Sequence, residues 1–126
     1  MTKYTKEKAQ TYRHGVTYAR KSKYGNVITE YNGRKYHSKK EAIYAKTLDM
    51  QKMAMSIHDR VISWTPQVSF TIQVNGHHIC KYILDFEVIY ADGHTEYIDV
   101  KGKVTDVYRI KKALMFAVHG IEIKEV

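Results

Sequence analysis

The chain has 126 residues, which is enough to bury one hydrophobic core, and it carries a net charge of +8 at neutral pH. This charge favours a polyanionic partner, with nucleic acid the first candidate and an acidic membrane surface a distant second. The single cysteine, Cys80, excludes an internal disulfide and a Cys-rich zinc site. No apolar run is long enough to span a membrane and no hydrophobic segment follows the N-terminus, so we expect a cytoplasmic protein.

The first 24 residues are basic, rich in tyrosine and without apolar periodicity. We call residues 1–24 the N-terminal arm and expect one folded domain over residues 25–126. Such an arm is either loosely attached or gains order on a phosphate backbone, where its tyrosines can stack on bases. We favour the second interpretation, because the positive charge is concentrated there.

A small hairpin and a helix follow the arm. Residues Val27–His37 surround Asn32-Gly33, a strong signal for a two-residue hairpin turn. Ser38-Lys39-Lys40-Glu41 has the pattern of a capping box, which predicts a helix that runs to about Met55.

Glu41 has two possible roles on this helix. Its carboxylate can bond back to the Ser38 amide, as in a capping box. It also begins the helical row that should face the sheet, and both roles can coexist. The other members of that row are Ala45, Leu48 and Met55, with Tyr44 beside them.

Three strands are predicted next. Val61–Trp64 is a short apolar run that Pro66 halts, and Val68–Val74 alternates as a strand should. The turn Asn75-Gly76 then leads into the strand that contains Asp85.

A second helix is predicted after Gly102, capped by Thr105 or Asp106 and ended by Gly120. Lys111 interrupts its apolar row and either snorkels to solvent or contacts a ligand. The row consists of Val107, Leu114 and Val118, and a strand over Ile121–Val126 closes the chain.

The stretch from Ile83 to Gly102 is predicted to be a hairpin. A two-residue loop Asp92-Gly93 would place Asp85 and Asp99 on opposite faces of the sheet. A three-residue loop with Gly93 in the left-handed position pairs Tyr90 with His94 and sets Asp85 directly opposite Asp99. We favour this register, since glycine adopts that conformation without steric cost, and it collects Asp85, Asp99 and Lys101 on one face.

Opposed carboxylates repel each other across a ladder, and a cation between them relieves the repulsion. Carboxylate oxygens are the ligands that magnesium prefers, and Lys101 offers a positive charge for a phosphate or an activated water. The alternative is a polar outer face with an incidental salt bridge.

The order helix, three strands, helix, strand resembles the PD-(D/E)XK nuclease superfamily, with Glu41 on the first helix, Asp85 on the second core strand and Asp99-Val100-Lys101 on the third. The segments YNGRKYHSKKEA, YILDF and EYIDVKG are similar to those of small phage-encoded nucleases related to Holliday-junction resolvases. Leu84 stands where the superfamily name has Pro. The resemblance implies an α/β restriction-endonuclease-like αβββαβ core, preceded here by the arm and the small hairpin.

The resemblance also implies a chemistry. Asp85, Asp99 and the Val100 main-chain carbonyl would bind Mg²⁺, with Mn²⁺ also accepted, and Glu41 would hold a water or a second ion. Lys101 would steady the attacking hydroxide or the developing charge. The implied substrate is DNA, especially branched DNA, cut by a homodimer in the cytoplasm (the host's, if the protein is phage-encoded). Candidates for phosphate contacts are Lys39, Lys40, Lys103, Arg109 and Lys111.

The second hypothesis is a basic nucleic-acid-binding protein without catalysis, in which the acids are structural. The two hypotheses assign different roles, catalytic or structural, to the same four residues: Glu41, Asp85, Asp99 and Lys101. A pure binder has no reason to place three acids within a basic surface, where they repel phosphate unless a cation intervenes. We therefore favour the enzyme.

Deleting residues 1–24 is expected to lower the affinity for DNA and to flatten its dependence on salt, because each phosphate that a basic side chain neutralises releases counterions. Cleavage at low salt should persist. The measurement is affinity against salt concentration for the full-length and truncated proteins. Equal slopes would mean that the arm touches no phosphate, and loss of folding would mean that it belongs to the core. The basic residues of the arm are Lys3, Lys6, Lys8, Arg13, Arg20, Lys21 and Lys23, against the single acid Glu7.

Overall fold

Two helices and six strands make up residues 27–126, the part of the chain that the structure, a computed structural model, describes. In chain order they are β1 (Thr29–Tyr31), β2 (Arg34–Tyr36), α1 (Lys39–Gln51), β3 (Val61–Val74), β4 (His77–Tyr90), β5 (Thr95–Asp99), α2 (Asp106–His119) and β6 (Ile123–Glu125). The N-terminal arm and the predicted domain start at residue 25 lie outside the described residues.

The central element is a four-stranded mixed sheet in the order β3-β4-β5-β6. Its first three strands are antiparallel neighbours, and β6 lies parallel to β5. The α/β class is confirmed, and the elements follow in the predicted order of helix, three strands, helix, strand. Between residues 27 and 126, neither helix has the length and apolar character needed to cross a membrane.

The small N-terminal hairpin is confirmed. β1 and β2 form a separate two-stranded sheet in which Tyr31 pairs with Arg34. Asn32 and Gly33 both have left-handed backbone, with φ of 51° and 81°. Positive φ at both central residues is the requirement of the hairpin turn that the sequence predicts.

Helix α1 is shorter than predicted. Ser38 caps it by accepting a hydrogen bond from the Glu41 N–H at 3.1 Å, but it ends at Gln51 and not near Met55. The next amides bond carbonyls only three residues back, which tightens the chain out of the α-helix. Met55 is almost fully exposed, so no burial favours a longer helix.

The predicted break at Pro66 is wrong, because β3 runs without interruption from Val61 to Val74. Within residues 27–126, β3 lies at the edge of the sheet and pairs only with β4. An edge strand tolerates proline where the missing N–H faces its open side. The strand is irregular one residue later. Gln67 has left-handed backbone, with φ of 53°, which is uncommon for a residue other than glycine.

Helix α2 has the predicted ends but a different buried face. Thr105 caps it, and Gly120 ends it in left-handed conformation. Of the predicted apolar row, Leu114 packs against the hydrophobic cluster under α2, whereas Val107 and Val118 are exposed. Tyr108 and Met115 are buried in their place, so the buried row is shifted by about one residue, which is about a quarter of a turn.

Two hydrophobic clusters lie on opposite faces of the sheet. On β5, Ile98 belongs to the cluster under α1, and Tyr97 packs against the cluster under α2. Adjacent residues of a strand point to opposite faces, so the two helices cover opposite faces. On β4, Phe86 belongs to the α1 cluster and Leu84 to the α2 cluster. Residues two apart share a face in a regular strand, but Leu84 and Phe86 pack on opposite faces of the sheet. The buried face of β4 therefore changes at Asp85, which lies between them.

Phe86→Ala is expected to lower the free energy of unfolding by about 3–5 kcal/mol, as for large core aromatics generally. Phe86 is 1% exposed, and its ring lies 5.4 to 6.0 Å from the rings of Tyr36, Tyr44 and Trp64. Phe116→Ala is the matched control, because Phe116 is 62% exposed, and it should cost under about 1 kcal/mol. Urea denaturation measures both variants, and equal losses would contradict this description of the core.

Candidate functional site

The register of the β4–β5 hairpin decides whether the two aspartates meet. Gly93 is left-handed, with φ of 94°, and its N–H donates to the Tyr90 carbonyl at 3.0 Å. The Tyr90 N–H donates to the His94 carbonyl at 2.9 Å. The three-residue loop is therefore confirmed. Its register, carried one step past the Phe86–Ile98 pair, sets Asp85 opposite Asp99.

The two aspartates lie in hydrogen-bond contact with each other, and burial affects both. Asp99 is 2% exposed, and Asp85 is half-buried and accepts a hydrogen bond from the Val100 N–H at 2.8 Å. Burial, and then the neighbouring Asp85, raise the pKa of Asp99 to about 7. Burial, with a hydrogen bond to Glu41 acting in the same direction, raises the pKa of Asp85 to about 6. The pair is therefore partly protonated near neutral pH.

Two groups bind the same oxygen of Asp99. The Lys101 Nζ lies 3.1 Å from Oδ2, and the Tyr82 hydroxyl donates a hydrogen bond to that oxygen. Burial first, and then this hydrogen bond, raise the pKa of Tyr82 far above its usual value, so the phenol stays protonated. Lys101 also lies over the Tyr108 ring, 3.7 Å from its centroid, where the ring face attracts a cation.

Glu41 approaches from the first turn of α1 and is 7% exposed. The capping bond at this helix end runs from the Glu41 N–H to the Ser38 hydroxyl, and the Glu41 carboxyl lies in hydrogen-bond contact with Asp85. Its Oε2 atom is buried without a hydrogen-bond partner among residues 27–126. A buried carboxylate oxygen of this kind is costly unless something else binds it.

All four predicted catalytic residues line one cavity of about 250 Å³, which we call the acid cavity. It lies between the N-terminus of α1 and the point where β4 and β5 separate. Val100 also lines it, although the contact that this residue makes with Asp85 is through its N–H and not its carbonyl. The lining residues are His37, Ser38, Lys40, Glu41, Tyr82, Ile83, Asp85, Asp99, Val100, Lys101 and Gly102.

The predicted phosphate-binding residues are divided among different places. Lys40 lines the acid cavity, where its Nζ donates to the Lys101 carbonyl at 2.9 Å. Lys111 lines a neighbouring cavity. Arg109 contacts Asp106 at 3.5 Å and lines a separate groove between α2 and β6. Lys39 and Lys103 are exposed outside the lining of the acid cavity.

Sequence reasoning did not find Tyr82 and Tyr108. In a regular strand Tyr82, three residues before Asp85, points to the other face. The change of face at Asp85 brings its hydroxyl to Asp99 instead. Tyr108 was missed because the predicted row of α2 was one residue out. Strand and helix periodicity carry no signal for either tyrosine.

The acid cavity has oxygen ligands of the kind that Mg²⁺ prefers. Within residues 27–126, no three His, Cys, Asp or Glu side chains already stand in the arrangement of a metal site. The donor chemistry of the acid cavity nevertheless fits a hard cation. It offers carboxylate oxygens from Glu41, Asp85 and Asp99, and one of them, Glu41 Oε2, has no partner.

Comparison with known proteins places the chain in a family. The family model described as "Protein of unknown function (DUF1064)" matches residues 21–126. The chain belongs to the DUF1064 family. No curated protein and no solved structure matches the chain. Every residue of the acid cavity in this DUF1064 protein lies inside the matched segment.

The free energy of unfolding should fall as the pH rises through the range in which Asp85 and Asp99 lose their protons. The pKa values of Asp85 and Asp99 are raised in the folded state, so between about pH 4 and pH 7 the folded protein binds more protons than the unfolded chain. Their protonation therefore stabilises the fold at low pH, and this contribution is lost as pH rises. Asp99→Asn should flatten this fall and raise stability near pH 8.

Urea denaturation at several pH values with a chelator tests this expectation. Asp106→Asn is the control, because the Asp106 side chain is 94% exposed. The expectation is wrong if Asp99→Asn is less stable than the native protein at every pH, since the bonds from Lys101 and Tyr82 would then outweigh the cost of ionising Asp99.

Proposed function

We propose that this protein is a metal-dependent DNA endonuclease of the PD-(D/E)XK superfamily that hydrolyses phosphodiester bonds. The observation that carries the proposal is the convergence of Glu41, Asp85, Asp99 and Lys101 in the acid cavity. They come from α1, from β4 and from the end of β5, so three separate elements supply one constellation.

The charge of the protein supports this proposal. The chain has a net charge of +8, yet three of its acids surround one cavity, where they would repel a phosphate. A cation held by the carboxylates reverses that repulsion. A basic surface around a cation-binding acidic centre is what cleavage of a polyanion requires.

The topology supports the same proposal. The order α1-β3-β4-β5-α2-β6 is the αβββαβ order that the sequence resemblance implies, and the helices cover opposite faces of the sheet. Asp85 lies where the buried face of β4 changes, which brings it between the two helices. Fold order alone does not specify a reaction, so the proposal depends on the residues of the cavity.

Glu41, Asp85 and Asp99 are the residues that would hold Mg²⁺ or Mn²⁺. When bound, such an ion neutralises phosphate charge and makes water more acidic. The partner-free Oε2 of Glu41 and the partly protonated aspartate pair are the groups that would gain most from a cation.

Lys101 has a defined part in the proposed reaction. Hydrolysis joins the oxygen of water to phosphorus and breaks the bond to the leaving sugar oxygen, which takes up a proton. Negative charge grows on the phosphate oxygens during this step, and the Lys101 ammonium stabilises it by hydrogen bonding. The Tyr108 ring and Asp99 hold the ammonium at the cavity wall. Lys40 adds a second positive charge at the rim.

Branched DNA is the substrate that we propose first, as the sequence resemblance implies. Symmetrical cutting of a four-way junction requires two active sites, so we propose that a homodimer acts on it. Incubation with four-way junction, nicked and linear DNA, each with magnesium, manganese or chelator, identifies the preferred structure.

One observation favours the alternative of a DNA-binding protein without catalysis. Lys101 and Tyr82 already bind Asp99, and the described side chains form no ready three-ligand cluster. Binding without cleavage in the presence of every divalent cation tested would establish this alternative.

Asp85→Asn and Asp99→Asn are each expected to reduce cleavage to the level seen with chelator, because the variants lose a charged metal ligand. DNA affinity should stay the same or rise, since repulsion of phosphate is relieved. Asp106→Asn, which changes an exposed acid, should cut like the native protein. Full metal-dependent cleavage by Asp85→Asn would contradict the assignment.

A further inference from the structure

A second cavity adjoins the acid cavity and shares Tyr82 and Ile83 with it. Its volume is about 320 Å³, and no acidic residue of the described segment 27–126 lines it. The charged residues of its lining are Lys81 on β4 and Lys111 on α2. The acid cavity therefore continues into a basic one, which we call the lysine cavity.

The position of the Lys111 ammonium is fixed by a hydrogen bond. Its Nζ donates to the main-chain carbonyl of Lys81 at 2.9 Å, and the stem of this side chain is half-buried. An ammonium group has three N–H donors, and this bond uses one of them. The others are available to an anion in the lysine cavity.

The surroundings add little opposing charge. The sequence has no Asp or Glu between Arg60 and Leu84, a segment that includes all of β3 and the half of β4 that carries Lys81. The nearest acid on α2, Asp106, has an exposed side chain that contacts Arg109 and is absent from the lining. An anion in the lysine cavity therefore meets two cations and no carboxylate of that lining.

Ile83 lies at the boundary of the two cavities. It is 59% exposed, although the residues on either side of it, Tyr82 and Leu84, are buried. An exposed aliphatic side chain between two polar cavities suits contact with a sugar ring. Lys81 is four residues from Asp85 on β4, so about 13 Å separates them, which is roughly the rise of four nucleotides in one DNA strand.

We propose that the lysine cavity binds a backbone phosphate of the DNA strand that enters the acid cavity. Lys81 and Lys111 hold that phosphate, and Ile83 contacts the sugar of an intervening nucleotide. The expected spacing of up to about four nucleotides between this phosphate and the scissile one rests on the proposed endonuclease function. The binding of a phosphate in the lysine cavity does not depend on that function.

The first experiment measures DNA affinity against salt in the presence of chelator. Lys81→Met and Lys111→Met remove the charge but keep an aliphatic stem, and each should reduce the salt slope by about one. Lys112→Met is the matched control. Lys112 follows Lys111 on α2 but contacts Glu125 at 3.2 Å and lines the groove on the other side, so its slope should be unchanged. Equal slopes for Lys111→Met and Lys112→Met would overturn the proposal.

The second experiment replaces single phosphates of the DNA by neutral methylphosphonates. For the native protein, one position within about four nucleotides of the cut should weaken binding. In Lys81→Met and Lys111→Met that same replacement should cost nothing further, because the contact is already lost. A replacement that costs the variants as much as the native protein at every position would refute the subsite.

The outcomes separate the two proposals. Suppose that no metal supports cleavage, but that neutralising one phosphate weakens binding of the native protein and not of the Lys81 and Lys111 variants. The lysine cavity then stands and the endonuclease function fails. Suppose instead that cleavage depends on Asp85 and Asp99, but that every phosphate replacement weakens the native protein and the lysine variants equally. The endonuclease function then stands and the lysine cavity is wrong.

Discussion

The structure depends on a buried and a half-buried carboxyl group, Asp99 and Asp85, that meet across adjacent strands. Asp85 and Asp99 repel when both are ionised, and the protein reduces that repulsion in three ways. The raised pKa of Asp99 favours its protonated form, the Val100 N–H binds Asp85, and Lys101 binds Asp99. Such a pair is expensive for a fold that needs only stability, because apolar residues would fill the same space at lower cost. The cation binding that we propose would give the pair a function.

The change of face at Asp85 lets residues of the same alternation on β4 reach both cores. Phe86 packs under α1 and Leu84 under α2, so β4 contributes its even-numbered residues to both clusters. Gln67, at the same level on β3, has the left-handed backbone that accompanies this irregularity. Asp85 thus lies where neither core covers it fully, open to Glu41 on one side and Asp99 on the other. The change of face at Asp85 therefore accounts both for the irregularity of the sheet and for the position of the candidate site.

The two cavities share a division of charge that suits a long polyanion. Three acids lie in one cavity, and the lining of the next, as far as residues 27–126 form it, has two lysines and no acid. Tyr82 connects them, since its ring borders both and its hydroxyl binds Asp99. A strand of nucleic acid that crosses this boundary would meet positive charge on both sides once a cation is bound.

Local sequence determined the turns, the caps and the register, because each depends on a few neighbouring residues. Gly93 fixed the three-residue loop, and with it the meeting of Asp85 and Asp99; Ser38 and Gly120 marked helix ends in the same way. Tertiary structure alone decided the rest. Pro66 remains in β3 because that strand is at an edge, and Tyr82 reaches Asp99 because the buried face changes at Asp85. Periodicity assumes that alternate residues of a strand keep to one face, and the change of face between Leu84 and Phe86 breaks that assumption.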